Sequence, residues 1–541
     1  MASEEAKVIE MENSTEVLTA FNKIPYALIN QEVEFGSHDV LEEFTQICRF
    51  YKIYYKGKTF PVEGSNGDYV PANLKYKMAA SLINKEARFL FAESPDITIN
   101  AKGDVGKITE EAKNMLTTYN DLLKSIFDGN EFEQILIKAA KDCFIGKRVA
   151  GLVNFNEEDG VTITFLPSTQ FLYETQIGNK GKIVKFVCFM IVRDSKRLSD
   201  KRIFKKKYVV ENDKVFLEEV LYDGAGRVIE EVTTRQEILL DRIPVAIFTN
   251  DGLTGDDKGE SEIEILEDYE KWYSKMSNGD IDAERKTMNP TRYTIDMDSR
   301  STKNLSSSAG SFWDLQSDQN LDKPVPNVGM LESSMGYSDA LKTSLDRIKT
   351  TAYEQVDMPN ITLETMVGSI TSGKALKAIY WPLIVRCKEK MKTWGPQLSN
   401  IVKIIIEGSL VYPNCIEKYT DEALSPVAYE VDVVGNTPLP EDEIEEKQTD
   451  LAEVTAQVMS RKSYMKKWRN LTDDEVQEEL EQIALEREMI EDTFQSPNSL
   501  REQPYPDDSE NGNGNTLEKG NALENPDEEI ETDNDSEFIE E

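Results

Sequence analysis

Residues 261–286 have the sequence SEIEILEDYEKWYSKMSNGDIDAERK, which predicts a long amphipathic helix. Ser261 with Glu264 three residues later forms the capping-box pattern that begins helices. An apolar residue then recurs at alternating spacings of four and three, at Ile265, Tyr269, Trp272 and Met276. This spacing places one apolar stripe along an amphipathic helix. At 1.5 Å per residue, a helix of about 25 residues is about 40 Å long.

A second helix of similar character is predicted over residues 338–357. Its apolar residues also share one face, at Leu341, Leu345, Ile348 and Ala352. Met358-Pro359 ends it, because proline cannot continue a helix. The insert between the two helices is irregular, with three prolines and a serine-rich run. The pattern predicts a helical hairpin that carries a small domain at its tip. Its two stripes present more apolar surface than one hairpin can bury, which favours a closed ring of copies.

Outward from the hairpin, the chain is predicted to be α+β and mainly helical. Periodicity indicates helices over 1–55, 74–92, 107–127, 130–143, 373–407 and 441–492. The helix from 373 should be kinked or interrupted at Pro382 and at Gly395-Pro396. Strands and turns fill residues 148–248, the one β-rich block of any size.

The net charge of −38 limits what the chain can do with nucleic acid. An acidic surface repels phosphate, so a protein that grips DNA statically is disfavoured. A protein past which DNA must slide is compatible with this charge. The basic run Lys205-Lys206-Lys207 has two open interpretations, a nucleic-acid contact or an exposed sheet edge. The chain has 541 residues, too many for one core, so several sub-domains are expected.

Five dispersed cysteines without a CxxC pair argue against a disulfide framework or a zinc site, and favour a reducing cytoplasm. His38 is the one histidine and is interpreted as a surface residue beside Asp39. The acidic start of the chain predicts no signal peptide, and no apolar run reaches the length of a membrane span. The pair Asp296 and Asp298 is taken as solvated rather than as a metal site.

The run Gly368-Ser369-Ile370-Thr371-Ser372-Gly373-Lys374-Ala375 resembles a nucleotide-binding P-loop. It departs from that motif at Ala375, where the hydroxyl that would bind Mg²⁺ is missing, and no βαβ series surrounds it. The run is therefore interpreted as a loop that caps the next helix. The sequence predicts no enzyme activity, no cofactor and no metal.

With these elements in order, the chain resembles the portal proteins of long-tailed phages of the SPP1 type. The resemblance covers residues 1–490 and rests on motifs that are weak alone but specific in their order. These are Tyr54-Tyr55-Lys56-Gly57, Asn84 to Pro95, Ile243-Pro244-Val245 to Asn250, Gly259 to Glu262, Ser372 to Leu376, Pro440 to Glu443, and Ser460 to Ser463 with the acidic helix to Glu488.

The resemblance implies a portal fold whose regions follow one another along the chain. The regions are a wing (1–260), a stem helix (261–287), a clip (288–336), a second stem helix (337–357), a tunnel loop (358–372), a long kinked helix with a wing return (373–440), a crown (441–492) and an acidic tail (493–541). After Ser496 the chain has 15 acidic and 2 basic residues, which predicts a disordered tail.

The same resemblance implies a ring of about twelve subunits through which double-stranded DNA passes. Its expected partners are the terminase large subunit, a head-completion or adaptor protein, and the major capsid and scaffolding proteins, with no membrane. The expected location is the capsid vertex of the virion, after assembly in the host cytoplasm.

The tunnel loop is the expected contact with DNA, and Glu364 is its one charged residue between Met358 and Ser372. Its candidate DNA-facing residues are Asn360, Thr362, Glu364, Thr365, Ser369, Thr371 and Ser372. Such near-neutral, hydroxyl-rich chemistry predicts weak contacts that suit sliding. Lys342 and Lys349 are seven residues apart on one helix face and are either sparse basic rings in the channel or a plain solvated face.

Three classes of function remain after these arguments. A DNA conduit is favoured, an acidic ring-forming adaptor that does not conduct DNA is the alternative, and an enzyme built on the degenerate P-loop is the third. A ring image with an axial hole separates the first two classes, and a nucleotide-binding assay tests the third.

Overall fold

A computed structural model gives the fold of the chain, which forms two compact units, 1–442 and 443–541. The structure describes residues 24, 26–32, 38–57, 71–103, 109–195, 197–253, 258–288, 291–298, 300, 315–323, 325–331, 335–361, 373–420, 422–436, 443–469, 475–477 and 479–485. The acidic tail and residues 1–23 lie outside this part, so the predictions made for them are not addressed by the structure.

The described part of the first unit has five helices before residue 147. They are α1 (Tyr26–Glu32), α2 (His38–Lys56), α3 (Met78–Phe91), α4 (Glu110–Gly129) and α5 (Phe132–Gly146), and strand β1 (Asp96–Ala101) follows α3. The start of α4 shows why the sequence forms it there. The Thr109 hydroxyl accepts a hydrogen bond from the backbone N–H of Ala112 at 3.3 Å, and two glutamates follow in the first turn.

The β-rich block forms two antiparallel sheets rather than one. Its strands are β2 (Arg148–Asn156), β3 (Gly160–Pro167), β4 (Phe171–Gln176), β5 (Asn179–Arg193), β6 (Arg202–Glu211), β7 (Lys214–Asp223), β8 (Val228–Ile238) and β9 (Val245–Thr249). One sheet has the order β3-β2-β9, and the other runs β4 to β8 in sequence order. The sequence predicted the block but missed β4 and β9, which are only 6 and 5 residues long.

The basic run at 205–207 lies inside the larger sheet, so its interpretation as an exposed sheet edge was wrong. Strand β6 pairs with β5 on one side and β7 on the other, so the run is not on an exposed edge. Lys205 and Lys207 on one face pair with Glu32, and Lys206 on the other pairs with Glu219 at 3.3 Å. These lysines form ion pairs with carboxylates of the same chain. Their ammonium groups are therefore less available to bind phosphate.

After the sheets, the chain forms α6 (Glu262–Met288), the short strands β10 (Thr291–Ile295) and β11 (Asn327–Leu331), α7 (Ser338–Glu354), α8 (Gly373–Ile379), α9 (Trp381–Val411) and β12 (Tyr429–Val434). Strands β10 and β11 pair antiparallel within the insert that was predicted to be irregular. Five-residue strands separated by more than thirty residues give too little periodicity to be recognised in sequence. Strand β12 pairs antiparallel with β1, which lies more than 300 residues earlier in the chain.

The long helix predicted from 373 is interrupted at Tyr380, and Pro382 lies in the first turn of α9. This agrees with the tolerance of proline in a first helical turn. At Pro396, however, α9 continues as one helix.

The main hydrophobic core lies beneath α3, α4, α5 and α9. Its centre is Trp394, which is 1% exposed and whose ring centroid lies 5.0 Å from Phe91 and 4.6 Å from Phe248. The core also includes Ile263 and Leu266 of α6 and the residues that end α7, so both predicted stem helices are rooted in it.

The second unit contains two helices that pack together, α10 (Glu443–Thr455) and α11 (Arg461–Arg469), and residues 475–477 and 479–485 are also helical. The break after α10 has a local cause, because Gln457 adopts a left-handed φ of 62° and the Ser460 hydroxyl accepts from the N–H of Ser463. Asp450 joins the helices by accepting from Trp468 Nε1 at 2.8 Å and pairing with Lys467 at 2.9 Å. Across the described part of both units, no helix is long and apolar enough to cross a membrane.

Candidate functional site

Helices α6 and α7 pack against each other and hold the insert between them, as the sequence predicted. The Ser261 hydroxyl caps α6 by accepting from the backbone N–H of Ile263 at 3.2 Å, and it donates to the carbonyl of Ile145 at 2.6 Å. In a capping box, Glu264 would accept a hydrogen bond from the backbone N–H of Ser261. Here its carboxylate instead accepts from Gln46 and pairs with Lys147. The root of α6 is thereby joined to α2 and to the end of α5.

The face of α6 that is buried within the chain differs from the predicted apolar stripe. Ile265, Tyr269 and Met276 are half-buried, and Trp272 is 50% exposed. The buried face instead contains Ile263, Leu266, Glu270, Ser274, Ser277 and Asn278.

Two polar residues of this face, Glu270 and Asn278, bind backbone groups of the first turn of α3 and of the extended segment 71–77. Buried backbone groups of such a segment need hydrogen-bond partners. Glu270 accepts from the N–H of Ala79 at 3.0 Å, and Asn278 accepts from the N–H of Leu74 at 2.7 Å while donating to its carbonyl at 2.8 Å. Sequence periodicity could not predict which face of α6 is buried, because the segment that covers this face lies about 200 residues earlier in the chain.

Helix α7 is more exposed than α6, and Ala352 is its one fully buried residue. Leu341, Leu345 and Ile348 of the predicted stripe are half-buried. Lys342 is exposed and Lys349 is half-buried, and no described residue forms an ion pair with either. Their ammonium groups are therefore not neutralised within the part of the chain that the structure covers.

The chain leaves α7 through a tight turn that ends in the core. Val356 and Met358 are 1% and 7% exposed, and Asp357 between them has a left-handed φ of 52°. Asn360 is exposed, and its amide donates to the Thr350 hydroxyl at 3.4 Å. The other predicted DNA-facing residues lie outside the described residues, namely Thr362, Glu364, Thr365, Ser369, Thr371 and Ser372.

The chain is described again from Gly373, where α8 begins. Most of the P-loop-like run lies in the undescribed segment before this point, so the structure does not test it. Tyr380, at the break between α8 and α9, stacks on Phe89 with ring centroids 5.7 Å apart and planes 6° from parallel. Met358, at the start of the predicted tunnel loop, and Tyr380, after α8, both pack in the main core.

A buried charge cluster lies where these elements meet, and sequence analysis missed it. The ammonium of Lys390 on α9 lies 2.7 Å from Glu262 Oε1 and 3.0 Å from Glu86 Oε1, and it donates to Asn250 Oδ1 at 2.7 Å. All three charged side chains are 1% exposed. The same ammonium lies 4.0 Å from the centre of the Phe144 ring, an additional cation–π contact.

Arg386, one turn before Lys390, extends the cluster. Its Nε donates to Glu86 Oε1 at 2.8 Å and its Nη2 donates to Glu262 Oε1 at 2.6 Å. Its Nη1 lies 3.6 Å from Asp357 Oδ2, in the turn after α7. We define Glu86, Glu262, Arg386, Lys390 and Asp357 as the charge cluster.

Burial and neighbouring charges act against each other in this cluster. Burial alone would raise the pKa of Glu262, but the cations of Lys390 and Arg386 outweigh it and lower that pKa to about 2. Burial and the negative charge of Glu262 raise the pKa of Glu86 despite the same two cations. Burial would lower the pKa of Lys390, but Glu262 and Glu86 raise it above its ordinary value. The ammonium therefore stays charged, and the cluster holds elements together electrostatically.

A signal for the cluster did exist in the sequence. Leu383, Cys387 and Trp394 recur at helical spacing, and Lys390 occupies the position where the same face calls for an apolar residue. A cation on an apolar face indicates a buried partner. The partners Glu86 and Glu262 are too distant in sequence to be identified from it. In the part of the chain that is described, no group of three or more His, Cys, Asp and Glu could hold a metal ion.

The insert at the tip of the hairpin exposes apolar side chains around β10 and β11. Tyr293 lies against Gly329 on the opposite strand, where any side chain would overlap its ring. Ile295, Val328 and Met330 of this hairpin are 47%, 42% and 55% exposed. The register places Val328 and Met330 on one face of this hairpin and Ile295 on the other.

No curated protein matches the sequence of this chain. Among solved structures, it is similar to a chain from the neck of a native GTA particle computed with C12 symmetry, with 8% sequence identity and a TM-score of 0.34, covering 80% of this chain and 93% of that one. The model of the family described as phage portal protein, SPP1 Gp6-like, matches residues 36–493. The chain therefore belongs to the SPP1 Gp6-like family of phage portal proteins.

Proposed function

We propose that this portal protein forms a closed ring of about twelve copies at the capsid vertex, through which double-stranded DNA is packaged and later ejected. The family match over residues 36–493 carries the proposal. The helical hairpin of α6 and α7, with partly exposed apolar residues on both helices, supports it because such surface is available for contacts between copies. The net charge of −38 suits a wall along which DNA slides.

The regions of the chain follow from this proposal. Residues 1–260 form the wing, α6 and α7 the stem, and residues 288–336 the clip. Residues 358–372 form the tunnel loop, 373–440 the long helix with the wing return, and 441–492 the crown. Portal proteins of this kind are structural, and ATP hydrolysis belongs to the terminase motor.

The clip is the part of the chain that binds the terminase large subunit during packaging and a head-completion or adaptor protein afterwards. The exposed Ile295, Val328 and Met330 support this assignment, because they offer apolar area to a partner. Major capsid and scaffolding proteins are further partners during assembly in the host cytoplasm, and no membrane is involved.

DNA passes the tunnel loop, where hydroxyl and amide groups make weak, exchangeable contacts with phosphate. Asn360, Thr362, Thr365, Ser369, Thr371 and Ser372 supply these groups, and Glu364 keeps the loop from becoming adhesive. Lys342 and Lys349 on α7 add a sparse positive charge to an acidic channel.

The test compares Thr365→Ala with Thr365→Arg in a packaging assay. Thr365→Ala should package DNA almost normally. Thr365→Arg should assemble into rings but stall the DNA, because each added phosphate contact multiplies affinity in a salt-dependent way. Packaged genome length and ring formation are measured for both variants. Normal packaging by Thr365→Arg at low and moderate salt would mean that the loop does not face DNA. Electron micrographs of rings without an axial hole would favour the non-conducting adaptor.

A further inference from the structure

Arg386 contacts carboxylates from separate parts of the chain. It bonds Glu86 on α3 and Glu262 at the start of α6, and its Nη1 lies 3.6 Å from Asp357 in the turn after α7. We propose that Arg386 is a positioning residue that, through Asp357, fixes the direction in which the chain leaves α7 and enters residues 358–372. The structural part of this inference stands on the described residues, and its consequence for DNA rests on the proposed function.

The inner contacts hold the guanidinium whether or not Asp357 is present. Glu86 and Glu262 are each 1% exposed, and the Arg386 side chain is 14% exposed. The planar guanidinium has a fixed geometry, so binding two carboxylates through Nε and Nη2 also fixes where Nη1 points. That atom points to Asp357, so the arginine is preorganised for this partner.

The contact with Asp357 is the outermost of these pairs. The Asp357 side chain is 47% exposed, and its separation from Nη1 is the longest of the three contacts described. Asp251 also approaches the cluster, at 3.9 Å from Arg386 and 3.4 Å from Lys390, with 39% of its side chain exposed. Solvent and salt reach these two aspartates but not Glu86 or Glu262. The Asp357 contact can therefore open without disrupting the buried pairs.

The contact with Asp357 affects the backbone, because this residue forms the turn at the end of α7. Its φ of 52° lies in the left-handed region, which most side chains avoid. Val356 and Met358 are buried on either side, and the Asp357 N–H donates to the carbonyl of Glu354 at 3.1 Å. The Met358 N–H also donates to the carbonyl of Tyr353 at 2.9 Å, so α7 ends in a left-handed turn that aspartate tolerates, and the ion pair stabilises this turn further.

The variant Asp357→Asn tests the proposal without adding backbone strain, because asparagine tolerates the left-handed region. Hydrogen–deuterium exchange is measured in the intact protein on peptides spanning residues 355–372. We expect exchange there to be about two- to fivefold faster than in the natural protein, as for loss of a half-exposed ion pair. The matched control is Glu354→Gln, which removes the same charge from an exposed position on α7 and should leave exchange unchanged.

A measurement without substitution complements the variants. In about 1 M salt, where screening acts over about 3 Å, exchange of the natural protein should approach that of Asp357→Asn. The exchange rates of Asp357→Asn itself should be insensitive to salt. Equal exchange in Asp357→Asn and the natural protein, or equal acceleration by Glu354→Gln, would overturn the proposal.

Packaged DNA length, measured on the same variants, separates this inference from the proposed function. Accelerated exchange with altered packaging supports both the positioning role and the assignment of 358–372 to the channel. Accelerated exchange with unchanged packaging supports the positioning role and contradicts the channel assignment.

Discussion

Lys390 illustrates how one side chain can depend on distant partners. Its ammonium lies in the interior of the first unit, 1% exposed, and is tolerated only because Glu86, Glu262 and Asn250 surround it. Taking an isolated charge out of water is costly, and excellent geometry offsets that cost without necessarily exceeding it. Such a cluster specifies how α3, α6 and α9 meet more than it adds to stability.

Lys390→Ala should destabilise the protein strongly. The substitution leaves two buried carboxylates with Arg386 as the remaining buried cation, and breaking a buried pair costs about 3–5 kcal/mol. Chemical denaturation measured by circular dichroism gives the change in the free energy of unfolding. Lys388→Ala, an exposed lysine on the same helix, is the control and should change it by less than about 0.5 kcal/mol. Equal effects would mean that the cluster is not what holds these helices.

Asp142 predicts a pH dependence of stability. Burial raises its pKa from 3.8 to about 6, against the hydrogen bond that Tyr51 Oη donates to Oδ1 at 2.9 Å. Because the folded-state pKa is the higher one, the folded state binds the proton more tightly. Its contribution to stability is complete below about pH 4 and is lost as the pH rises through about 6.

Asp142→Asn removes this titration and keeps the acceptor for Tyr51. At pH 8 the variant should be more stable than the natural protein, by up to about 3 kcal/mol, and below pH 4 the two should be equal. Denaturation curves from pH 4 to 8 measure the difference. Asp121→Asn, at an exposed position on α4, should leave the pH profile unchanged. A stability difference that does not vary with pH would contradict the argument.

Among the elements, α9 and β2 approach closely because each has a glycine at the contact. A methyl group at Gly408 of α9 would overlap the ring of Phe155 on β2. At Gly151 of β2 it would lie 2.9 Å from Ile401 of α9. The absence of side chains at both positions sets the distance between helix and sheet.

Gly408→Ala should therefore destabilise the protein although alanine favours helices. Overpacking of a core costs about 1–3 kcal/mol, which exceeds the helix-propensity gain of about 1 kcal/mol. Gly279→Ala in α6 is the control, since a methyl group there meets nothing within 4 Å. That variant should gain about 0.5–1 kcal/mol. In thermal melts, the melting temperature should fall for Gly408→Ala and rise for Gly279→Ala. A rise for both variants would show that α9 can move away from β2.

Assembly of the chain into a ring should bury apolar surface that a single copy leaves exposed. Trp272 on α6 is the largest such side chain on the predicted stem and is 50% exposed. Burying about half of a tryptophan, about 100 Å², contributes about 2–3 kcal/mol. In a ring, this gain would recur at every contact between copies.

Trp272→Ala should weaken ring formation while leaving the fold of each copy intact. Native mass spectrometry over a range of concentrations should show rings of about twelve copies for the natural protein and a shift to smaller species for the variant. Ile177→Ala removes a fully exposed side chain at the turn between β4 and β5, and should assemble normally. Monomers alone for the natural protein, at every salt concentration, would contradict ring assembly. Rings of equal stability in Trp272→Ala would exclude Trp272 from the contact.

Local features of this protein could be predicted from neighbouring residues alone. Capping at Ser261, the helix end before Pro359 and the break before Pro382 depend on residues within a few positions of each other, so periodicity and turn chemistry could predict them. The β-rich block and the ordered motifs of a portal protein could also be identified from the sequence. The candidate DNA-facing residues from Thr362 to Ser372 remain predictions, because they lie outside the described residues.

Tertiary structure alone decided which faces are buried and which charges meet. Lys205 to Lys207 looked like a basic patch until the fold brought Glu32 and Glu219 to them. Polar residues on the buried face of α6 accept hydrogen bonds from the distant segment 71–77 and from the first turn of α3. Arg386 finds Glu86 300 residues earlier in the chain. Hydrogen bonds and ion pairs of this kind are set by proximity in space, and no local pattern encodes a partner hundreds of residues away.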